Sequence, residues 1–193
     1  MILPVIAVTA VKRSEWGSIL TAPANRQTGD PHAKLLIVEY SDFQCPSCAV
    51  VNPATHRLLE IYRGKVHLVY KYYPLTKIHR NALPAAVAAQ CAANQNRFWP
   101  YADRLFATQA SWAPLTDPAT SFIAIANELA LDLPHFNTCR ADPLQKEVVL
   151  RDADEARKRQ IHSTPTFLIG DERLVGKSIE SDGARAIEKA LWR

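Results

Sequence analysis

The chain has 193 residues, 48% of them hydrophobic and 22% charged, and carries a net charge of +4. That balance supports a packed core in one domain, or one domain with a large insertion. Lys and Arg are scattered rather than clustered, which argues against a nucleic-acid footprint, and the charge cluster "RDADEARKRQ" mixes both signs as a solvated helix face does.

The chain starts with an apolar stretch, Ile2 to Val11, too short to span a bilayer and without the charged leader of a signal peptide. It reads as the remnant of a signal or anchor whose start lies upstream, or as a short strand packed on the body. The next segment, "KRSEWGSILTAPANRQTGDPHAK", reads as a linker, which favours the remnant. Residues 1–34 are therefore taken as an N-terminal arm.

Residues 35–40, "LLIVEY", form a near-continuous apolar run, the pattern of a strand buried on both faces. From Cys45 to Tyr62 the apolar spacing turns helical, with Pro46 suited to the first helical position and Pro53 expected to kink the middle. "VHLVYK" (66–71) is a second strand, so the cysteines of "CPSC" sit at a strand-to-helix junction in a β-α-β unit. Residues 79–160 are nearly all helical in pattern, with prolines near the helix starts. "TPTFLIG" and "RLVG" then read as short strands, and a last helix is expected from about Ser181 to Trp192. The two outer parts fit one small sheet with the helical block inserted between them.

Cys45 and Cys48 admit more than one chemistry. A closed zinc site needs four ligands, and the six histidines include no close pair at ligand spacing. A transient Cu(I) site on two thiolates stays open, as does a buried structural pair. Redox chemistry fits best. A cysteine at a helix N-terminus faces unpaired N–H groups, which favour the thiolate, the species that attacks disulfides. Cys45, at the boundary, is expected to be exposed and to react with an outside sulfur. Cys48, one turn in, is expected to be shielded and to resolve the mixed disulfide.

Other residues carry weaker signals. Glu39 lies inside the apolar strand on the side of Leu35 and Ile37, so burial should raise its pKa; a pairing with Lys71 on the next strand is the alternative. Asp42 reads as a turn or cap residue, Phe98, Trp99 and Phe106 as core, His79 as a residue near a segment boundary, and His162, close in sequence to Pro165, as a surface histidine.

"TGDPHAKLLIVEYSDFQCPSC", "FWPYADRLFA" and "IHSTPTFLIGDERLVG" together resemble the DsbA-like thiol–disulfide oxidoreductases, over about residues 28–193. The resemblance implies an α/β fold, thioredoxin-like with an inserted α-helical domain: residues 35–75 and 161–193 in the thioredoxin-like part and 76–160 in the insertion. It assigns Cys45, Cys48 and Glu39 to catalysis, Glu39 handling protons for the buried cysteine. It makes Pro46 and Ser47 the active-site dipeptide. It implies a cis-proline at Pro165, preceded by Thr164, where the exposed backbone pairs with extended substrate. A histidine occupies the Ser47 position in strongly oxidising members, so serine implies a less oxidising pair. Some relatives carry a second, non-catalytic disulfide in the helical block, which here matches Cys91 with Cys139; two buried free cysteines acting as small apolar residues are the alternative.

The implied function is disulfide exchange with cysteines of exported proteins, as a disulfide-forming oxidase. A reductase or isomerase is the alternative, and a copper metallochaperone or a binding module with a vestigial pair are more distant ones. No cofactor or bound metal is required. The implied partners are reduced or unfolded cysteine-containing proteins and a redox partner such as a membrane oxidoreductase. The implied setting is periplasmic or extracytoplasmic, with anchoring through an N-terminal segment upstream as one version.

Overall fold

The computed structural model describes residues 24–192; the apolar arm read as anchor remnant or strand lies outside them. The first described residues form a 3₁₀ turn, Ala24–Arg26, and an edge strand, β1, Gln27–Gly29. Part of the stretch read as linker is thus built into the sheet. Three residues of mixed polarity give no period to detect. Gly29 ends the strand with φ +88°, and a Cβ there would lie 2.5 Å from the carbonyl oxygen of Val66, so the close approach requires glycine.

The β-α-β unit follows as β2 (Leu35–Ser41), α1 (Pro46–Ile61) and β3 (Val66–Tyr72). All seven residues of each strand are buried, Glu39, His67 and Lys71 included. The helix runs on both sides of Pro53 as one element. Six helices then fill the block: α2 (Ala82–Asn94), α3 (Phe98–Ala107), α4 (Gln109–Trp112), α5 (Ala119–Glu128), α6 (Leu133–Ala141) and α7 (Pro143–Lys158). The carboxylates of Asp132 and Asp142 cap α6 and α7, each just ahead of a proline in the first turn. β4 (Thr166–Ile169), β5 (Glu172–Val175) and α8 (Ser178–Leu191) complete the fold.

The sheet has the order β1-β3-β2-β4-β5. β2 runs parallel to β3 and antiparallel to β4, so the two outer parts of the chain share one sheet and the helical block is an insertion between them. Strand alternation sorts the core. Leu35 and Ile37 face α1 and α8 with Val51, Phe167 and Ile187. Leu36, Val38 and Tyr40 face α7 with Ala153 and Ala156.

A buried ionic network fastens α7 to the second face. Arg26 pairs with Asp152 and lies 4.3 Å over the Tyr72 ring. Lys71 Nζ sits 2.9 Å from Glu155 and 3.4 Å from Asp152. The Tyr40 hydroxyl donates to Glu155 at 2.6 Å, and the backbone N–H of Tyr72 donates to Asp152 at 3.1 Å. Lys71 therefore does not pair with Glu39. It stands in register with Tyr40, so the strand alternation turns it to the opposite face.

Cys91 on α2 and Cys139 on α6 are joined by a disulfide inside the helical block. Replacing both with alanine should lower stability to denaturant by about 4 kcal/mol, the loop-closure value for their separation of 48 residues. Chemical denaturation of the oxidised protein and the double variant measures the difference.

Candidate active site at the start of α1

β2 delivers the chain to the edge of the sheet, and Cys45 caps α1 in an extended conformation with Pro46 next. The buried carboxylate of Asp42 holds this turn to the loop after β3. It accepts from the N–H of Gln44 at 2.8 Å, the N–H of Leu75 at 2.9 Å and His79 Nδ1 at 2.7 Å. The helical block supplies a second clamp. Gln109 Nε2, at the start of α4, donates to the carbonyls of Phe43 at 2.7 Å and Cys45 at 3.0 Å. Gln44 adds a third, accepting from the N–H of Asn81 and donating to the carbonyl of Ala113. Sequence reasoning did not single out Gln44, Asn81 or Gln109. Nothing local marks them, because each acts across a long chain separation.

The other side of the site comes from the loop before β4. The Thr164–Pro165 peptide bond is cis. Cys45 Sγ lies 3.3 Å from the carbonyl oxygen of Thr164. The Pro165 carbonyl accepts from the N–H of Gly176 at 2.9 Å, which ties the loop to the end of β5. Here the exposure expected of Cys45 is corrected: the residue is only 8% exposed, because the Thr164–Pro165 loop covers the sulfur. Pro46 and Ser47 occupy the first turn of α1, and Ser47 is partly exposed. Phe98 and Phe106 are buried core residues, and His162 is exposed.

Cys45 and Cys48 are both free thiols. The Cys45 pKa is lowered to about 5. The largest cause is the hydrogen bond from the Cys48 thiol, which outweighs burial; the Thr164 side chain and the N–H groups of Cys48 and Ser47 add to it. Cys48 moves the opposite way. Burial raises it first, and the neighbouring Cys45 charge raises it further. The pair thus holds an ionised outer sulfur against a protonated inner one, which is an arrangement able to exchange disulfides.

Beneath Cys48 lies a buried polar pocket of the sheet. Glu39 is 4% exposed, and desolvation raises its pKa to about 7, against a smaller lowering by the Ser41 hydroxyl and by His56. Tyr70 stands in register with Glu39 on β3, and its hydroxyl pKa is raised well above normal by burial. The Ser41 hydroxyl lies against the Glu39 carboxyl and the Tyr70 hydroxyl, and both hydroxyls are buried. Further along α1, His56 Nε2 meets Asp103 Oδ1 of α3 at 2.7 Å, and Asn52 donates to the same oxygen at 2.9 Å. The Asp103 bond raises the His56 pKa above its ordinary value. Burial pushes Asp103 up, but its bonds with His56 and Asn52 outweigh that and hold it low.

Among the described residues, no group of three or more His, Cys, Asp or Glu is placed to hold a metal, and no helix is long and apolar enough to cross a membrane.

Comparison with known proteins supplies a family. The model of the thioredoxin family matches residues 21–189. Among curated proteins, the chain is 36% identical over 148 residues to a Na(+)/H(+) antiporter NhaA of Salinispora tropica and 33% identical over 148 residues to one of Herminiimonas arsenicoxydans. Each match covers 77% of this chain but 22% of the antiporter, so the chain spans about a fifth of the length of these relatives. Among solved structures, a thioredoxin-like oxidoreductase from Silicibacter pomeroyi is 23% identical with a TM-score of 0.76, covering 91% of this chain and 97% of that one. Wolbachia pipientis alpha-DsbA1 is 24% identical with a TM-score of 0.76, covering 86% and 90%. BdbD from Bacillus subtilis is 20% identical with a TM-score of 0.77, covering 87% and 93%. These likenesses establish the thioredoxin-like fold with its helical insertion.

Two outcomes follow from the charges at this site. Alkylation of Cys45 by a small reagent should rise with pH through about 5 and be flat by about pH 7, the signature of a depressed thiol pKa; a midpoint near the ordinary thiol value would contradict it. Glu39 binds its proton more tightly folded than unfolded, so it lowers stability as pH rises from its unfolded pKa through about 7. Glu39→Gln should therefore match the parent protein in acid and exceed it above neutral pH, by up to about 3 kcal/mol for a shift of this size. Denaturant unfolding at several pH values measures that gain.

Proposed function

We propose that this chain, which belongs to the thioredoxin family, is a thiol–disulfide oxidoreductase working as a disulfide-forming oxidase on cysteines of exported proteins. The observation that carries the reading is the Cys45 sulfur. It caps a helix, it is ionised well below neutral pH, and it lies 3.3 Å from the Thr164 carbonyl beside the cis bond to Pro165, with Cys48 one turn behind.

In the oxidised enzyme a substrate thiolate attacks Cys45 Sγ. The Cys45–Cys48 bond breaks, a mixed disulfide forms, and Cys48 leaves as a thiolate that takes up a proton. A second substrate thiolate then attacks the substrate sulfur of the mixed disulfide. The substrate disulfide forms, and Cys45 leaves as its stabilised thiolate. Two electrons remain on the dithiol, and a redox partner, a membrane oxidoreductase by chemical class, removes them. The low Cys45 pKa favours this direction, because it stabilises the reduced enzyme and makes Cys45 a good leaving group. Ser47 brings no positive charge, so the stabilisation rests on the Cys48 thiol, Thr164 and backbone N–H groups.

Thr164 and Pro165 form the face on which an extended cysteine-containing segment would lie. An extracytoplasmic setting suits the reading, and the Cys91–Cys139 disulfide supports it, since such bonds persist in oxidising compartments.

The reduction potential of the Cys45–Cys48 pair, measured against a glutathione buffer, tests the direction. A value above about −200 mV is expected; a value near −270 mV, that of thioredoxin, overturns the oxidase in favour of a reductase. Cys45→Ser should abolish exchange with an added disulfide, and retained exchange would end the whole reading.

A further inference from the structure

Gln109 is the first residue of α4 and is 9% exposed. A carboxamide nitrogen carries two donor hydrogens, and here both are spent on the active-site turn. Nε2 donates to the carbonyl of Phe43 at 2.7 Å and to that of Cys45 at 3.0 Å. One side chain thus orients two peptide groups, one on each side of the Cys45 α-carbon.

The seat of that side chain is rigid. Trp112, at the other end of α4, is fully buried. Its Nε1 donates to the carbonyl of Leu105 at 2.9 Å, and its ring packs edge-on against Phe122 with centroids 5.4 Å apart. The N–H of Ala113 donates to the Gln109 carbonyl at 2.9 Å. Gln109 therefore carries the position of the helical insertion into the turn.

The Cys45 carbonyl has more donors than lone pairs. It opens the hydrogen bonding of α1, accepting from the N–H of Cys48 at 3.1 Å and that of Ala49 at 3.3 Å. A carbonyl offers two lone pairs, and Gln109 stands nearer than either helical donor. The competition leaves both helical N–H groups loosely held. N–H groups not fully spent at a helix start keep their positive ends for an anion placed there, and the Cys45 sulfur is that anion.

We propose that Gln109 is a positioning residue for the thiol exchange: by engaging the Cys45 carbonyl it keeps the first-turn N–H groups of α1 available to the Cys45 sulfur, and so lets the helical insertion set the reactivity of that sulfur. The proposal rests on the thiol-exchange reading above and extends it to the insertion. Gln109 acts on the backbone, since both of its bonds to the turn go to carbonyls. A strut that only satisfied two buried carbonyls would cost stability when removed and leave the acidity of the sulfur unchanged.

Two variants separate these roles. Gln109→Met keeps the length of the side chain and removes both donors, and Gln109→Ala removes the reach as well. Alkylation of Cys45 followed against pH should show a midpoint raised from about 5 by about half to one unit in Gln109→Met. That is an about three- to tenfold weaker acid, the size expected when a hydrogen bond to a charged group is weakened. The equilibrium with glutathione should move toward the enzyme disulfide by the same factor, because a less stable thiolate makes a less stable reduced pair. Gln109→Ala should move both readouts in the same direction. An unchanged midpoint and equilibrium in a folded variant that has lost only stability overturns the proposal. A third readout needs no variant. The Cys48 amide proton resonance of the unmodified protein should move as Cys45 ionises, and a resonance that stays fixed also overturns the proposal. Failure of the unmodified protein to exchange with an added disulfide would instead overturn the thiol-exchange reading.

Discussion

A negative charge on the Cys45 sulfur, held where little water reaches it, is the constraint around which the rest of the molecule is arranged. Burial alone would protonate that sulfur. The charge persists chiefly because the Cys48 thiol donates to it, with the N–H groups of the first turn of α1 adding to that. Pro46 makes the helix start abruptly, so the donors are aimed rather than frayed. The same hydrogen bond protects the Cys48 proton, since a thiol that donates to a thiolate becomes harder to ionise. One contact therefore separates the roles of two chemically identical side chains.

That geometry needs a rigid turn, and three distant parts of the chain supply it. Asp42 ties the turn to the loop after β3, Gln109 reaches in from α4, and the Thr164–Pro165 loop closes from the far end of the sequence. The helical insertion is accordingly part of the site's frame. Its own cohesion comes from the apolar cluster around Tyr101, Trp112, Phe122 and Phe136 and from the Cys91–Cys139 bond. Its attachment to the sheet comes from the Arg26, Lys71, Asp152 and Glu155 network, where buried charges are tolerated because each meets an opposite charge.

The two faces of the sheet treat their polar residues differently. On the α7 face every ionic group is paired. On the α1 face Glu39 pairs with no Lys or Arg among the described residues and holds its proton to about neutral pH, with the buried Ser41 and Tyr70 hydroxyls beside it. Strand alternation alone decides which set a residue joins. Tyr40 and Lys71 fall on the ion-paired face, and Glu39, Ser41 and Tyr70 on the other.

The thioredoxin-like architecture was legible in the chain, because its signals are local. A near-continuous apolar run marks β2, a mostly apolar one marks β3, proline marks the first turn of α1, and the spacing of "CPSC" places both sulfurs on that turn. β1 was not legible, since three residues carry no period and the pairing with β3 exists only in three dimensions. The burial of Cys45 was missed because its cover comes from residues more than a hundred positions away. The sequence by itself determined the chemistry available: two thiols one helical turn apart and an acid inside an apolar strand. Tertiary structure alone decided how those groups interact. Lys71 turned away from Glu39, Gln109 reached the Cys45 carbonyl, and Asp103 met His56, because contacts between distant segments are fixed by packing and strand register, which no local pattern encodes.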